Sequence, residues 1–326
     1  MLLGTSREKE LKLFANDYFS LNPYEMEPMQ GDAGLRHYYR ITSGNKSYVA
    51  MDCPPSYAPI TPFINIANFL LENSFSAPSI IHHNIEQGFM LLEDFGRTSV
   101  KNYLENIGDN GCERRNIYCL IIDLLCELQE KKAPSYLKNF DNNLLCSEIV
   151  LFTSWYIPYI YERDVTLEEF NEFREIWQNI LAKQVEMPSC IVLRDFHLEN
   201  MMYLSERNHC QKIGLLDFQD ALLGSPIYDL VSLLEDARFD VNIDDAMHLI
   251  DYFTQKKQYD KESVLTNYHI LGAQRNLRIL GVFARKHIRD KDDGYLKYIP
   301  RVKKYLENDL SHPYLKTIKD WLKNLK

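Results

Sequence analysis

Polar residues gather directly after two apolar, strand-like segments of the sequence. Residues 190–193 form the first segment, and Asp195 follows it, with Asn200 five positions further on. Residues 213–216 form the second segment and lead directly into Asp217, 22 positions after Asp195. One carboxylate can accept a hydroxyl proton, while an amide oxygen and a second carboxylate suit Mg²⁺. These are the groups that phosphoryl transfer from ATP to a hydroxyl requires.

A polar loop with capping Asp and Asn residues is the structural alternative for this region. It explains each residue separately. The phosphoryl-transfer hypothesis explains why a base, an amide and a second carboxylate appear in this order after two strand-like segments. We therefore favour it.

The loop at 194–200 resembles the catalytic loop of protein kinases. Because His197 stands two positions after Asp195, it is still more similar to the loops of aminoglycoside phosphotransferases and choline kinases. Residues 217–219, Asp-Phe-Gln, resemble the metal-binding Asp-Phe-Gly of kinases. The resemblance implies that Asp195 is the catalytic base, that Asn200 and Asp217 are Mg²⁺ ligands, and that ATP is the co-substrate.

Further blocks extend this resemblance over most of the chain. They are similar to the bacterial anomeric kinases that phosphorylate N-acetylmuramate and N-acetylglucosamine at C1 in cell-wall sugar recycling. The blocks are residues 31–40, 49–55, 91–96, 216–221, 228–230 and 274–285. They favour this branch but do not fix the acceptor. A related kinase of an amino alcohol or aminoglycoside, or a nucleotide-binding pseudokinase, stays an alternative.

The nucleotide contacts are expected in the first third of the chain. Gly31 and Gly34 lie between strand-like segments, where glycine lets backbone N–H groups approach phosphate; a plain hairpin turn is the alternative. Glu93 to Phe95 is expected to be the hinge, whose backbone groups would contact adenine.

Asp52 departs from the wider superfamily. It follows Val49 in a Val-Ala-Met-Asp segment, where kinases place a lysine that pairs with phosphates. A carboxylate there would repel the nucleotide. We therefore expect Arg36 or Arg40 to supply the positive charge, since arginine suits phosphate; solvated strand residues are the alternative.

Six residues are predicted acceptor contacts: Arg194, His197, Gln219, Asp220, Trp155 and Arg275. An aromatic face such as that of Trp155 suits a sugar, although aromatic residues at helical spacing also form cores. Arg275 and Arg278 could contact the lactyl carboxylate of muramate or form interhelical ion pairs. Asp220 could contact metal or sugar, or simply lie in a turn. Asp229 is predicted to be structural, accepting hydrogen bonds from the catalytic loop.

The surrounding elements predict an α+β, protein-kinase-like, two-lobed fold. Strand signals dominate up to Glu93, including a hairpin turn at residues 44–45 and a helix at 62–73. Long helical patterns dominate afterwards, at about 113–130, 142–161, 166–184, 243–256, 261–289 and 312–325. We predict an antiparallel, β-rich N-lobe at 1–95 and a mainly helical C-lobe at 96–326.

Composition and charge limit the binding partners and the cellular location that we expect. The formal charge of −9 argues against nucleic acid and anionic membranes as partners. No apolar run is expected to approach the roughly 18 residues that span a bilayer. Seven cysteines without a C-x-x-C pair, together with a charged N-terminal segment, indicate a cytoplasmic protein. A small-molecule sugar substrate and a monomer or simple homodimer are expected.

Overall fold

A computed structural model describes residues 6–20, 22–29, 36–108 and 110–325. Within these ranges the chain forms nine strands and twelve α-helices. The strands are β1 (Glu25–Pro28), β2 (His37–Ser43), β3 (Lys46–Asp52), β4 (Ile80–Asn84), β5 (Phe89–Glu93), β6 (Cys190–Val192), β7 (Met201–Tyr203), β8 (Ile213–Leu215) and β9 (Leu222–Gly224). The helices are α1 (Ser6–Phe19), α2 (Thr61–Glu72), α3 (Val100–Asn106), α4 (Gly111–Glu130), α5 (Asn142–Leu151), α6 (Ile157–Tyr161), α7 (Leu167–Leu181), α8 (Ile227–Leu234), α9 (Ile243–Lys257), α10 (Lys261–Asp290), α11 (Ile299–Asp309) and α12 (Lys316–Asn324).

The chain divides into two compact units. The first comprises residues 1–106 and 199–220, and the second comprises residues 107–198 and 221–326. The boundary between the units therefore crosses the catalytic loop, between Leu198 and Glu199. The predicted lobe division at residues 95–96 stays a prediction.

The first unit is built on a five-stranded antiparallel sheet in the order β1-β2-β3-β5-β4. The predicted hairpin turn between β2 and β3 is confirmed, and Gly44 adopts a φ of +59° there, which glycine tolerates without strain. Helix α1 covers one face of the sheet with an apolar core that includes Leu11, Phe14, Ile41 and Ala50. Because strand side chains alternate, the even-numbered residues of β2 and the odd-numbered residues of β3 face the other way.

A small hairpin completes the first unit. Strands β7 and β8 pair antiparallel with Met201 opposite Leu215. Bridges join Ser76 to Gly214 and Ser99 to Met202, which attaches the hairpin to the rest of this unit. The pairing brings the start of β7 and the end of β8 to the same edge of the hairpin.

The second unit is mainly helical and surrounds the short ladder β6–β9. Helix α10, at 30 residues, packs against α5, α8 and α11. The predicted continuous helix at 142–161 is wrong in one respect, because a π-helical turn at Phe152–Tyr156 separates α5 from α6. Pro158 lacks the N–H that a continuous α-helix would require. Gly281 of α10 lies so close to this turn that a Cβ there would stand 2.3 Å from the Leu151 carbonyl carbon.

The segment Asn142–Tyr161 also corrects the expectation about membrane spans. Its length and its mean hydropathy of 1.2 meet the requirements for crossing a bilayer. In the structure it packs on α10 within the second unit, as a core helix does.

The sequence did not predict β1, α3, β9, α8 or α11. Every residue of α8 is buried, and polar residues such as Asp229 and Ser232 are too few in so short a helix to reveal its period. Strand β1 has only four residues, which is too short for a clear alternation.

Candidate active site

Side chains of α8 hold the loop that carries Asp195 through hydrogen bonds to its backbone. Asp229, 1% exposed, accepts hydrogen bonds from the backbone N–H groups of Leu193 at 2.7 Å and Arg194 at 2.9 Å. Ser232, one turn further along α8, donates to the Arg194 carbonyl at 3.1 Å. The predicted structural role of Asp229 is confirmed. Burial raises the pKa of Asp229 to about 7, although the two N–H donors act in the opposite direction.

Arg194 adopts a φ of +72°, a strained conformation for a non-glycine residue. Its side chain donates to Glu148 of α5 and stacks on Phe140, with 5.3 Å between the guanidinium carbon and the ring centre. Glu148 also forms an ion pair with Arg278 of α10 at 3.1 Å. Tertiary contacts thus compensate for the strained backbone immediately before the proposed base.

Positive charge surrounds Asp195. Burial would raise the pKa of this carboxyl, but the arginines, above all Arg278, outweigh burial, and the pKa lies below its ordinary value. Asp195 is therefore ionised at neutral pH. An ionised carboxylate can accept a hydroxyl proton, as a general base must.

His197 is 5% exposed. Burial lowers its pKa, so the imidazole is neutral at pH 7. Arg238 lies 3.2 Å from Nε2, and a guanidinium can only donate, so Nε2 is the acceptor. This contact fixes the ring orientation in the loop; the predicted acceptor contact of His197 stays a prediction.

In the first unit, the β7–β8 hairpin positions Asn200 and Asp217. The Asn200 carbonyl accepts a hydrogen bond from the Leu216 N–H at 2.9 Å, which places both predicted metal ligands at one hairpin edge. Phe218 is fully buried and packs against Phe63, with ring centres 4.9 Å apart. Asp217 adopts a φ of +53°, and its side chain is 45% exposed. Oxygen atoms of an amide and a carboxylate fit a hard cation such as Mg²⁺.

Gln219 orients the neighbouring carboxylates. Its amide nitrogen donates to Asp217 at 2.8 Å and to Asp220 at 3.3 Å. The structure thus brings Asp217, Gln219 and Asp220 together, although their predicted contacts with metal and acceptor stay predictions.

Arg36 lies beside the predicted metal ligand. Its Nη1 is 3.6 Å from Asp217 Oδ1. Tyr38 lies in the same cluster, where burial and the Asp217 charge raise its pKa to about 12. Arg40, in contrast, is engaged by Asp94 at 2.7 Å and by the Gly96 carbonyl at 2.8 Å. Of the two candidate phosphate anchors, only Arg36 therefore lies next to Asp217.

Asp52 lies on the sheet face that α1 covers. Asp52 shares its strand face with Ala50, which packs under α1, and it is only 2% exposed. Arg7 of α1 forms an ion pair with it and lies 4.3 Å from the Phe89 ring centre. The side chain points away from the face that carries Tyr38, because residues alternate along each strand.

The side chains of the predicted hinge make structural contacts. Glu93 accepts hydrogen bonds from Ser79 and Arg207, and Arg207 also lies 5.0 Å from the Phe95 ring centre. A Cβ at Gly214 would come within 2.7 Å of that ring. The predicted adenine contacts of Glu93 and Phe95 would use backbone groups and stay predictions. Gly31 and Gly34 lie outside the described residues.

The remaining predicted acceptor contacts lie in the second unit. Trp155 is half-buried on the π-helical turn. Arg275 is 5% exposed and donates to Ser232 Oγ at 2.8 Å. This inward position favours a structural role for Arg275; its acceptor contact stays a prediction.

Sequence reasoning missed Glu148, Tyr38 and Arg7. Glu148 is the only charged residue between 142 and 161, and a lone acid in an apolar helix is a usable signal for a buried ion pair. Arg7 carries no comparable signal, because an exposed helix is expected to contain arginine.

The chain is similar to known phosphotransferases in sequence. A model of the "Phosphotransferase enzyme family" matches residues 25–261. An N-acetylmuramate/N-acetylglucosamine kinase from Caulobacter vibrioides is 30% identical, with 98% of this chain and 97% of that protein aligned. A protein of the same name from Pseudomonas aeruginosa is 30% identical over 90% of this chain and 86% of that protein.

Solved structures agree on the fold. The ADP-bound aminoglycoside phosphotransferase APH(2'')-Ib has a TM-score of 0.61 and 17% identity, with 91% of this chain and 96% of that chain covered. Choline kinase LicA from Streptococcus pneumoniae has a TM-score of 0.63 and 14% identity, with 92% and 99% covered. The expected α+β, protein-kinase-like fold is confirmed. The chain therefore belongs to the phosphotransferase enzyme family, and it is a small-molecule kinase that transfers a phosphoryl group to a hydroxyl.

Proposed function

We propose that this enzyme uses ATP and Mg²⁺ to phosphorylate the anomeric hydroxyl of N-acetylmuramate, N-acetylglucosamine or both, in cytoplasmic cell-wall sugar recycling. The observation that carries the proposal is the ionised Asp195 among arginines, in a chain whose curated relatives bear these sugars in their names. The solved neighbours include an ADP-bound and an ATP-bound phosphotransferase, which supports ATP as the donor.

Asp195 is the general base of the proposed reaction. An anomeric hydroxyl is more acidic than an ordinary alcohol, so a carboxylate with a lowered pKa can accept its proton as the oxygen attacks phosphorus. The Arg194 N–H donates to Asp229 and its carbonyl accepts from Ser232, which fixes the backbone on the N-terminal side of Asp195. Fixed orientation matters, because a displacement of about 1 Å can cost 10²-fold in rate.

Asn200 and Asp217 would hold the metal through their side-chain oxygens. When bound, Mg²⁺ neutralises phosphate charge. Arg36 is the proposed phosphate anchor, since its guanidinium already lies near Asp217 and can form a bidentate contact with phosphate oxygens.

The charge around Asp195 supports an acidic or neutral acceptor. Arg194, Arg275 and Arg278 all act on this carboxylate electrostatically. An amino alcohol or aminoglycoside is cationic and would be repelled by such a cluster. The pseudokinase alternative rested on Asp52, and the ion pair of Asp52 with Arg7 removes that support.

The test is ³¹P NMR of purified protein with Mg-ATP and each sugar, beside the variant Asp195→Asn. We expect a new anomeric sugar-phosphate resonance that the variant fails to produce. The variant keeps the size of the side chain, but it replaces one acceptor oxygen by an NH2 group and cannot serve as a base. ATP binding without a sugar phosphate from either acceptor would refute the proposal and would require a screen of other hydroxyl acceptors.

A further inference from the structure

Two arginines share one carboxylate in the second unit. Arg194 donates a hydrogen bond to one carboxylate oxygen of Glu148, and Arg278 Nε lies 3.1 Å from the other oxygen. Glu148 carries a single negative charge, so it can neutralise only one of the two guanidinium groups. A charge that is not neutralised is costly when it is buried, and the side chains of Glu148 and Arg194 are only 14% and 18% exposed.

The three arginines that act on Asp195 are held differently. Arg194 is hydrogen-bonded to Glu148 and stacked on Phe140. Arg275 is buried, with its donors directed at Ser232 and at the carbonyl of Glu235.

Arg278 is the most exposed of the three. Its side chain is 22% exposed, against 18% for Arg194, and Arg275 as a residue is 5% exposed. Its ion pair with Glu148 is made through Nε, and Asp195 is a second carboxylate that acts on its charge. The planar guanidinium carries five N–H donors, so it keeps the capacity to bind an incoming anion.

We propose that Arg278 determines acceptor specificity by binding a carboxylate on the sugar. This inference rests on the proposed function, and it deepens it by assigning the acidic acceptor to one side chain. Glu148 is the positioning residue, because it draws the guanidinium toward the loop of Asp195 without saturating its donors. Arg275 then serves to hold α8 and α10 together.

N-acetylmuramate differs from N-acetylglucosamine by an ether-linked lactyl group that carries a carboxylate. A residue that binds this carboxylate affects the first sugar and leaves the second almost unchanged. A residue that only supports Asp195 affects both sugars equally. The ratio of the two kcat/KM values therefore separates recognition from structural support.

The experiment compares Arg278→Met and Arg278→Lys with the natural protein at pH 8. This pH is chosen because Arg278 lowers the pKa of Asp195, and a high pH limits the effect that its removal has on the charge of that carboxyl. Arg289→Ala removes an exposed arginine from the same helix as a control for charge and helix content. Thermal unfolding of each variant checks the fold.

For Arg278→Met we expect kcat/KM with N-acetylmuramate to fall about 10- to 100-fold, mainly through KM. With N-acetylglucosamine, kcat/KM should fall only by the support that Arg278 gives to Asp195, so the ratio of the two kcat/KM values should change about 10-fold or more. Arg278→Lys should be intermediate because it keeps the charge and loses the fork. An equal loss on both sugars, no loss, or a natural enzyme that accepts only N-acetylglucosamine would overturn the inference. Failure of the natural enzyme on both sugars would instead refute the proposed function.

Discussion

The two carboxylates of the proposed mechanism stand in contrasting surroundings. Asp195 follows a backbone that is held by Asp229 and Ser232, and arginines surround it. Asp217 lies on a hairpin end with a 45% exposed side chain, next to Arg36 at 3.6 Å and Gln219 at 2.8 Å. A base must keep one orientation through the reaction, whereas a metal ligand must remain accessible to an ion that arrives with the nucleotide.

The largest effects should come from exchanging these two carboxylates for amides. Asp195→Asn should lower kcat about 10³-fold and leave Mg-ATP affinity unchanged, because the lost function is proton acceptance. Asp217→Asn should weaken the response to Mg²⁺ about 100-fold, since a metal ligand loses its charge. Steady-state kinetics with Mg²⁺ titration would measure both. Equal Mg²⁺ dependence in the two variants would contradict the division of roles.

A smaller effect is expected at the support of the base. Asp229→Asn replaces one of two acceptor oxygens by a donor that faces the N–H of Leu193 or Arg194. We expect about 1–3 kcal/mol less free energy of unfolding and a kcat about tenfold lower, because the loop loses one hydrogen bond. Urea unfolding and kinetics would test this. Asp244→Asn, at an exposed site on α9, is the matched control. Full activity in Asp229→Asn would show that the loop is held by other contacts.

Substitutions of Arg36 and Arg40, which both lie in the first unit, should have different effects. Arg36→Ala should raise KM for Mg-ATP about tenfold, since a charge-assisted contact with phosphate is lost. Arg40→Ala should leave that KM unchanged and lower stability by about 1 kcal/mol, because its partner is Asp94. ATP titration and thermal unfolding of both variants distinguish the outcomes. An unchanged KM in both would remove Arg36 from the proposed site.

The smallest effect on catalysis is expected at Arg7 and Asp52. Arg7→Met leaves a nearly buried carboxylate without its partner, so stability should fall by about 2–3 kcal/mol. Kinetic constants should stay within about twofold, because this pair lies on the face of the sheet that α1 covers. The double variant Arg7→Met, Asp52→Asn should recover much of the stability. A selective rise in KM for ATP would show instead that Asp52 influences the nucleotide.

Much of the fold was accessible from the sequence, for identifiable reasons. The β2–β3 hairpin was predicted because Gly44 and Asn45 stand between segments rich in Tyr, Val and Ile. Long amphipathic helices such as α7 and α10 were found by their period. Helix α8 was not predicted because all its residues are buried. The π-helical turn was not predicted because it packs closely on Gly281, which is far away in the sequence.

The sequence by itself determined which groups are present and their order: a base, an amide and a second carboxylate at fixed spacing after two apolar strands. Only the tertiary structure decided the direction of Asp52, the pairing of Arg7, and the sharing of Glu148 by two arginines. The physical reason is that spacing along a strand or loop is a local property. The face on which a side chain lies, and the charge that meets it, depend on register and on contacts between residues distant in the chain.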